Sequence, residues 1–252
     1  MTPFTKRRPL APAGFFDVEA AGLRWLAAVP DGARVAQVLE VTASSITLQD
    51  IANAAPTPVA AEAFGAALVR THDAGAAAFG SGPDGWSGDG YIGDAPLSLR
   101  PQPRWGEFYA EQRVLPYARA ALDAGDLTSA DLGAIEQLCR RLTDGEFDDG
   151  APPARLHGDL WSGNVLYSPD GVVLIDPAAQ GGHRITDLAM LSLFGAPHLG
   201  VVLEAYESAS RWLPADWRGL VPLHQLHPLL VHLVLFGSSY RAQAMAAVRR
   251  YS

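Results

Sequence analysis

Three polar side chains in the middle of the chain have the types and the spacing of a metal site beside a general base. Asp159 is followed five residues later by Asn164, and Asp176 comes twelve residues after that asparagine. The segment 165–175 reads VLYSPDGVVLI, in which two apolar strand candidates flank a turn with Pro at its second position and Gly at its fourth. Folded as a hairpin, residues whose numbers sum to about 340 face each other, which predicts Asn164 opposite Asp176 with Cα atoms roughly 5 Å apart.

An amide oxygen and a carboxylate at that separation can share one hard divalent cation. Mg²⁺ needs only one or two protein ligands when substrate phosphates supply the others. We therefore predict Asn164 and Asp176 as magnesium ligands, and Asp159, on the incoming loop, as the base that accepts a proton near the metal. The same order of base, asparagine, hairpin and aspartate occurs in the catalytic loop and metal-binding segment of protein kinases.

The residues around these side chains resemble the fructosamine kinase (ketosamine kinase) family, in the aminoglycoside-phosphotransferase-like branch of the protein-kinase fold. The resemblance rests on five segments: HGDLWSGN at 157–164, IDPA at 175–178, GHR at 182–184, DLAM at 187–190 and LFG at 193–195. It runs from about Phe4 to Tyr240, nearly the whole chain. One departure is that Ile185 and Thr186 stand where an acidic residue commonly follows the GHR-like segment.

The order of elements, mixed strands with one helix followed almost entirely by helices, predicts an α+β fold with two lobes. The resemblance implies a protein-kinase-like fold, with a truncated N-terminal β lobe over residues 1–50 and a mainly helical C-terminal lobe over residues 51–252. It also implies an ATP- and Mg²⁺-dependent kinase that phosphorylates a sugar hydroxyl of a ketoamine, such as a fructosamine or ribulosamine on a protein or free amine. Two alternatives stay open: phosphotransfer to an aminoglycoside or other amino alcohol, and a non-catalytic kinase homologue.

Lys6 is the single lysine among 19 lysine and arginine residues. A lysine that persists in such a background is a candidate for a role that the planar fork of arginine cannot fill. In the kinase fold, a strand lysine contacts the ATP phosphates and is held by a glutamate on the next helix. Lys6, in a short strand candidate, and Glu19, in the helical pattern after Asp17, have that order, and the family has similar segments around both.

The adenine site and the phosphate lid are predicted from position. The segment around Gln49 and Ile51 falls at the expected hinge between lobes, where backbone groups would bind adenine. Five residues precede Lys6 and no glycine occurs before Gly14, which is too little chain for the Gly-rich hairpin that covers the phosphates in kinases. The expectation is therefore either a start further upstream or a truncated homologue that binds ATP weakly or not at all.

Two aromatic residues are expected on the acceptor side, and two polar residues beneath the loop. Tyr91 lies in a segment that resembles the family's substrate-side loop. Trp161 either forms an apolar wall for the sugar or simply packs in the fold. Asp187 is predicted to brace the catalytic loop through backbone N–H groups, with Thr186 as the cap of its helix, and His157 to support the site.

Periodicity and capping signals predict the other elements. Strands are expected at 34–41 and 44–48, and helices at 58–74, 105–124, 128–142, 200–212 and 219–249. Pro116 should break the second of these helices, and Thr128 and Asp131 have capping-box chemistry. The Gly-rich segment 80–93 is predicted to be a long loop.

Composition narrows the class of protein. The chain has 252 residues and a formal net charge of −8, without a basic run, so nucleic acid is not an expected partner. No signal-peptide pattern or 18-residue charge-free apolar run occurs, so no membrane partner and a cytoplasmic location are expected. The single Cys139 is expected to be a buried, inert thiol. Three histidines in the last helices are expected to be core or groove residues, not metal ligands: His224, His227 and His232. No oligomeric state is predicted.

Overall fold

The computed structural model describes residues 3–251. The N-terminal region is a three-stranded antiparallel sheet in the order β1-β4-β3, covered by one helix. Its elements are β1 (Phe4–Arg7), α1 (Phe15–Ala27), β2 (Arg34–Val35), β3 (Val38–Thr42) and β4 (Ser45–Leu48). Ile46 and Leu48 of the central strand are buried against Phe16, Ala20 and Leu23 of α1, which forms the small core of this region.

The strand predicted at 34–41 is in fact two strands in two different sheets. β2 pairs in parallel with β9 (Gly171–Leu174), whereas β3 pairs antiparallel with β4. The chain changes sheets at residues 36–37, where Ala36 N–H donates to the carbonyl of Leu174 at 2.9 Å and Gln37 accepts from the N–H of Gln49 at 2.8 Å. A run of Val and Ala carries no signal for such a switch, because each half satisfies its hydrogen bonds with a distant partner. β2 thereby joins the N-terminal region to the site hairpin.

The rest of the chain is mainly helical and holds three small sheets. Its first part contains α2 (Pro58–Asp73), β5 (Gly90–Ile92), β6 (Ala95–Leu97), α3 (Trp105–Phe108), α4 (Leu115–Asp123) and α5 (Ser129–Thr143). The second part contains β7 (Ala154–Leu156), β8 (Val165–Ser168), β9, β10 (Gln180–Gly182), α6 (Ile185–Phe194), α7 (Leu199–Ala209), α8 (Trp217–Phe236) and α9 (Arg241–Arg250).

Most of the predicted helices are present. A π-helical turn, Tyr109–Val114, joins α3 to α4, and the break expected at Pro116 falls at the start of α4. The capping box of Thr128 and Asp131 begins α5 as predicted. The prediction of an unbroken loop at 80–93 was wrong at its end, because β5 pairs there with β6 in a short hairpin.

Helix α8 runs through the core of the helical region. Leu223, Leu226, Leu230 and Leu233 are almost completely buried. By length and composition alone this helix could cross a membrane, but half of its most apolar window is buried inside the protein. Such burial is typical of the central helix of a globular fold, so α8 is weak support for a membrane segment.

The burial of the histidines of α8 and of the cysteine agrees with the prediction of core or groove residues. His224 and His227 are buried, and His232 is half-buried. Within residues 3–251, no group of three or more His, Cys, Asp or Glu side chains is arranged to hold a metal ion. Cys139 is buried, and that burial raises the pKa of its thiol to about 12, which makes it unreactive near neutral pH.

Candidate active site

The hairpin that carries Asn164 and Asp176 is present, with its register shifted by one residue. β8 pairs antiparallel with β9, and the numbers of facing residues sum to 339 instead of the expected value of about 340. The N–H of Ile175 donates to the carbonyl of Asn164 at 3.1 Å, so Ile175 and not Asp176 lies opposite Asn164. A two-residue loop sets this register, and the exact pairing predicted for Asp176 was wrong by one position.

A left-handed backbone at Asp176 compensates for the shift. Side chains alternate between faces along a strand, so the residue after Ile175 would ordinarily point away from Asn164. Asp176 has a φ of 55°, which is uncommon for residues other than glycine. The alternation ends there, and Asp176 and Asn164 line the same cavity. Ile175 packs instead against the core of the N-terminal region.

Asp159 is held next to Asn164. The amide nitrogen Nδ2 of Asn164 donates to the backbone oxygen of Asp159 at 2.8 Å and to its carboxylate Oδ2 at 3.1 Å. Burial raises the pKa of Asp159 to about 6, against the hydrogen bond from Asn164, which lowers it. The carboxylate is therefore mostly ionised at neutral pH and more basic than an exposed aspartate, as suits a group that accepts a proton.

The predicted ion pair between Lys6 and Glu19 is present. Lys6 Nζ lies 2.6 Å from Glu19 Oε1 and also contacts Asp176 Oδ1. Burial raises the pKa of Glu19, while the ammonium of Lys6 lowers it. Lys6 thus stands between a helix of the N-terminal region and the end of the site hairpin, 170 residues away along the chain.

Asp187 braces the loop before Asp159 with the backbone contacts predicted from the sequence. Its Oδ2 accepts from the N–H of His157 at 2.8 Å, and its Oδ1 accepts from the N–H of Gly158 at 3.0 Å. The side chain is 1 % exposed. Burial opposes ionisation of Asp187, but the hydrogen bonds from His72 and from the N–H of Gly158 outweigh it and lower the pKa of the carboxyl.

Two neutral histidines support Asp187 and the loop that it braces. His72 has Nε2 3.2 Å from Asp187 Oδ2 and Nδ1 2.7 Å from the hydroxyl of Tyr206. The Nε2 of His157 lies 2.9 Å from the carbonyl of Ile175, so this nitrogen carries the proton, and Nδ1 accepts from the N–H of Asp159 at 3.3 Å. Burial lowers the pKa of both rings, in agreement with one donor and one acceptor on each.

Two features of this brace differ from the sequence prediction. Thr186 does not cap α6: the helix begins at Ile185 without a side-chain cap, and Thr186 Oγ1 lies 2.9 Å from Nδ1 of His224. The contribution of Tyr206 was not predicted, because this residue belongs to α7 and is far from His72 in the sequence. Only packing of α2 against α7 brings the two together.

Gly158 is required by its backbone and by its neighbour. Its φ is 82°, and a Cβ added there would collide with the carbonyl oxygen of Ala178. The chain beyond Ala178 is held by buried Arg113, whose Nε donates to Oε1 of Gln180 at 2.9 Å and whose Nη2 donates to the carbonyl of Ser98 at 2.8 Å. Burial lowers the pKa of Arg113 to about 10. Sequence reasoning missed this pair, since Gln180 has no motif of its own.

The three predicted catalytic and metal-binding residues line one cavity of about 360 Å³ together with Lys6 and Glu19, which were predicted to act at the phosphates. The side chains at its polar end are Lys6, Glu19, Asp159, Asn164 and Asp176. Its other walls come from α1, the β5–β6 hairpin and the residues just after it, the loop that follows Asp159, and the segment after β9. They are Phe15, Val18, Gly90, Tyr91, Gly93, Leu97, Leu99, Trp161, Pro177, Ala178 and Ala179.

The donor set at the polar end fits a hard divalent cation. Asn164 uses Nδ2 for its hydrogen bonds, and within residues 3–251 no donor contacts its Oδ1. Asp176 is 39 % exposed and already contacts one cation, the ammonium of Lys6. One carboxylate and one amide oxygen are a complete protein contribution for Mg²⁺ when phosphates supply other ligands.

Trp161 lies between this cavity and a second one of about 450 Å³. Trp161 is 40 % exposed, and its ring makes an edge contact with Phe194, with 6.3 Å between ring centroids. Gly93 and Asp159 also line both cavities. Tyr91 lines only the first, where it packs on Phe15 at 5.1 Å.

The predicted hinge residues lie away from the polar end. Gln49 uses its N–H to bond the carbonyl of Gln37, and Ile51 packs against the core of the N-terminal region. Among the described residues, neither lines the 360 Å³ cavity. A contact between adenine and this segment stays a prediction.

Comparison with solved structures identifies the fold of this chain. The structure of the gentamicin-APH(2")-IIa complex matches 98 % of this chain and 83 % of its own, with a TM-score of 0.61 at 13 % identity. That likeness is one of fold: an α+β, protein-kinase-like architecture with two lobes. A protein from Thermobifida fusca, solved as a candidate fructosamine-3-kinase, is 47 % identical, covers 99 % of this chain and 85 % of its own, and has a TM-score of 0.91.

The family follows from the sequence comparison. The fructosamine kinase family profile matches residues 3–252, and the chain belongs to that family. The probable ketoamine kinase YniA of Escherichia coli is 36 % identical over 173 residues. That alignment covers 66 % of this chain and 58 % of the Escherichia coli protein, so the match spans less than two thirds of that relative.

Proposed function

We propose that this protein is an ATP-dependent kinase that transfers the γ-phosphate to a sugar hydroxyl of a ketoamine. The observation that supports this most directly is the meeting of Lys6, Asp159, Asn164 and Asp176 on one cavity, in a chain of the fructosamine kinase family. These side chains come from three separate parts of the sequence. Their convergence provides a cation, a base and two oxygen ligands within one space, which is what phosphoryl transfer requires.

In this proposal Asp159 acts on the acceptor. Its carboxylate orients the sugar hydroxyl and takes its proton as the hydroxyl oxygen attacks the γ-phosphorus. The new oxygen–phosphorus bond forms while the bond to the β-phosphate oxygen breaks, and ADP leaves. The hydrogen bond from Asn164 Nδ2 fixes the carboxylate for this role, and its raised pKa of about 6 makes it a better base than an exposed aspartate.

Asn164 and Asp176 would hold Mg²⁺, which supplies charge neutralisation to the phosphates when bound. Lys6, which contacts both Glu19 and Asp176, would neutralise a phosphate, and Glu19 would keep its ammonium in position. Asp187 and His157 fix the backbone of the loop, so that Asp159 needs little reorganisation when the acceptor binds. Gln49 and Ile51 are proposed to meet the adenine through their backbones.

The test is turnover of defined acceptors with MgATP, followed as ADP release and as the mass of the product. We expect a gain of one phosphate on an N-alkyl fructosamine or ribulosamine and no gain on the parent sugar. Preferred turnover of an aminoglycoside or amino alcohol would replace the proposed acceptor. Absence of turnover together with no calorimetric heat at millimolar MgATP would favour a non-catalytic homologue.

A further inference from the structure

The second cavity opens on the acceptor side of Asp159 and differs in chemistry from the first. Its volume is about 450 Å³, and it shares Gly93, Asp159 and Trp161 with the polar cavity. A ligand whose hydroxyl meets Asp159 can therefore extend into this space. The polar cavity, which Lys6 and Asp176 line, shares the same aspartate.

The wall of the second cavity is a continuous row of rings that leads away from the catalytic loop. Trp161 contacts Phe194 at 6.3 Å between centroids, and Phe194 contacts His232 at 5.0 Å. His232 in turn contacts Phe236 at 5.3 Å and Tyr240 at 4.9 Å. Phe236 is 64 % exposed and Phe194 is 40 % exposed. Both side chains line the cavity and keep exposed apolar surface that a bound molecule could cover.

Charge is scarce in this cavity. Among the described residues that line it, Asp159 at the shared edge is the only carboxylate, and there is no Lys or Arg. His232 lies with Nδ1 2.7 Å from the carbonyl of Pro228, so that nitrogen donates, and burial lowers the pKa of the ring. Val231 and Leu235, one turn apart on α8, complete the apolar lining. A polycationic acceptor would find no acidic partner here beyond Asp159.

We propose that this cavity is a binding site for an apolar substituent on the amine nitrogen of the ketoamine, an alkyl chain or an aromatic ring. The inference rests on the proposed function, because that function places the sugar hydroxyl at Asp159. Pockets of this size are typically apolar with a few polar groups at one edge. Here that edge is the catalytic loop, and the apolar wall selects the substituent on the amine nitrogen of the ketoamine.

The experiment is a series of N-substituted fructosamines of increasing length: methyl, propyl, butyl, hexyl and phenethyl. Burial of each methylene is expected to raise kcat/KM about threefold from methyl to butyl. Two analogues of matched length end in a charge, one made from 4-aminobutyrate and one from 1,4-diaminobutane. Each should fall at least about tenfold below butyl, because a charged end loses its hydration in an apolar cavity.

Variants connect the trend to the cavity. Phe236→Ala should flatten the rise of kcat/KM with chain length, and Phe236→Glu should favour the diaminobutane derivative over butyl. Trp212→Ala is the matched control, since Trp212 is an aromatic residue of 39 % exposure outside this cavity, and it should leave the whole series unchanged.

The outcomes separate this inference from the proposed function. Turnover that is equal within twofold across the series would overturn the apolar site and leave the kinase activity intact. If no member is phosphorylated, the proposed function fails. Calorimetric titration with the same compounds then tests by itself whether the second cavity binds the substituent. A Kd that falls with chain length in the parent and not in Phe236→Ala supports it, and equal or absent binding overturns it.

Discussion

The carboxylate of Asp187 binds the backbone N–H of Gly158 at 3.0 Å, and this contact joins α6 to the loop that ends in Asp159. Both groups are fully buried, and the companion bond to His157 N–H makes the contact two-pronged. The position of the candidate base therefore depends on a carboxylate 28 residues further along the chain that lines neither cavity of the site.

Asp187→Asn is expected to lower both stability and turnover. An amide offers one acceptor and a misplaced N–H₂ group to two backbone donors, so the free energy of unfolding should fall by about 3 kcal/mol. Turnover should fall about tenfold or more at saturating substrate. Urea denaturation and kcat measure the two effects. Asp94→Asn is the control, because Asp94 pairs with Arg8 on the surface, and a loss as large in that variant would contradict the explanation.

Gly158→Ala is expected to destabilise the loop by more than about 2 kcal/mol, because the added Cβ meets the carbonyl of Ala178 and the backbone is left-handed. Gly133→Ala is the matched substitution in a helix: Gly133 lies within α5 with open space around a Cβ. It should raise the unfolding free energy by up to about 1 kcal/mol. Denaturant midpoints test the pair, and equal changes in both variants would refute the steric reason.

Asp159→Asn should abolish most phosphoryl transfer with little loss of stability. The amide keeps the shape of the side chain and can still accept from Asn164, but it cannot take a proton, so kcat should fall at least about hundredfold. Melting curves should stay close to the parent, since a buried charge is removed. Asp170→Asn, at the exposed hairpin turn, is the control. Residual activity within about tenfold of the parent would defeat the role given to Asp159.

Lys6 and Glu19 should be energetically coupled. Lys6→Met leaves Glu19 buried without its cation, whereas Lys6→Met in a Glu19→Gln background leaves no unpaired charge at that position. The double-mutant cycle should give a coupling free energy of about 1 kcal/mol. The surface pair of Arg8 and Asp94 should give less than about 0.5 kcal/mol in the same cycle. Lys6→Met should also weaken MgATP binding, measured by calorimetry.

Stability should fall as the pH drops below neutrality. Burial lowers the pKa of five histidines in the folded state: His72, His157, His224, His227 and His232. The unfolded chain takes up these protons near pH 6.5 and the folded chain does not, so the unfolded state gains stability as pH falls. Each fully linked histidine contributes about 1.4 kcal/mol per pH unit.

Urea unfolding at pH 7.5 and 5.5 measures this slope. His227→Leu should reduce this slope. Nε2 of His227 is buried without a partner among the described residues, so the folded protein keeps the ring neutral, and leucine removes the group that takes up a proton on unfolding. His198→Asn is the control, since His198 is exposed and its left-handed backbone suits asparagine. A slope that is unchanged in His227→Leu would show that other groups control the acid response.

The chemistry of the site could be predicted from the sequence because it is concentrated in short segments. Asp159, Asn164 and Asp176 are joined by a loop and a hairpin of 18 residues, so turn chemistry alone brings them near each other. The pair of Lys6 and Glu19 was likewise predicted from their order on a strand and the following helix. The family that the sequence motifs resemble is also the family whose profile matches residues 3–252.

Tertiary structure decided the parts that depend on distant partners. The hairpin register differs by one residue from the expected one, and the left-handed backbone at Asp176 is what keeps this residue on the same cavity as Asn164. Lys6, which is 170 residues away in the sequence, contacts the carboxylate of Asp176. His72 and Tyr206 support Asp187 only because α2 packs on α7, and the aromatic cavity exists only because α6 and α8 place Phe194 and His232 side by side. Local hydrogen bonds and periodicity specify elements, whereas packing between elements far apart in sequence specifies which of their side chains share a space.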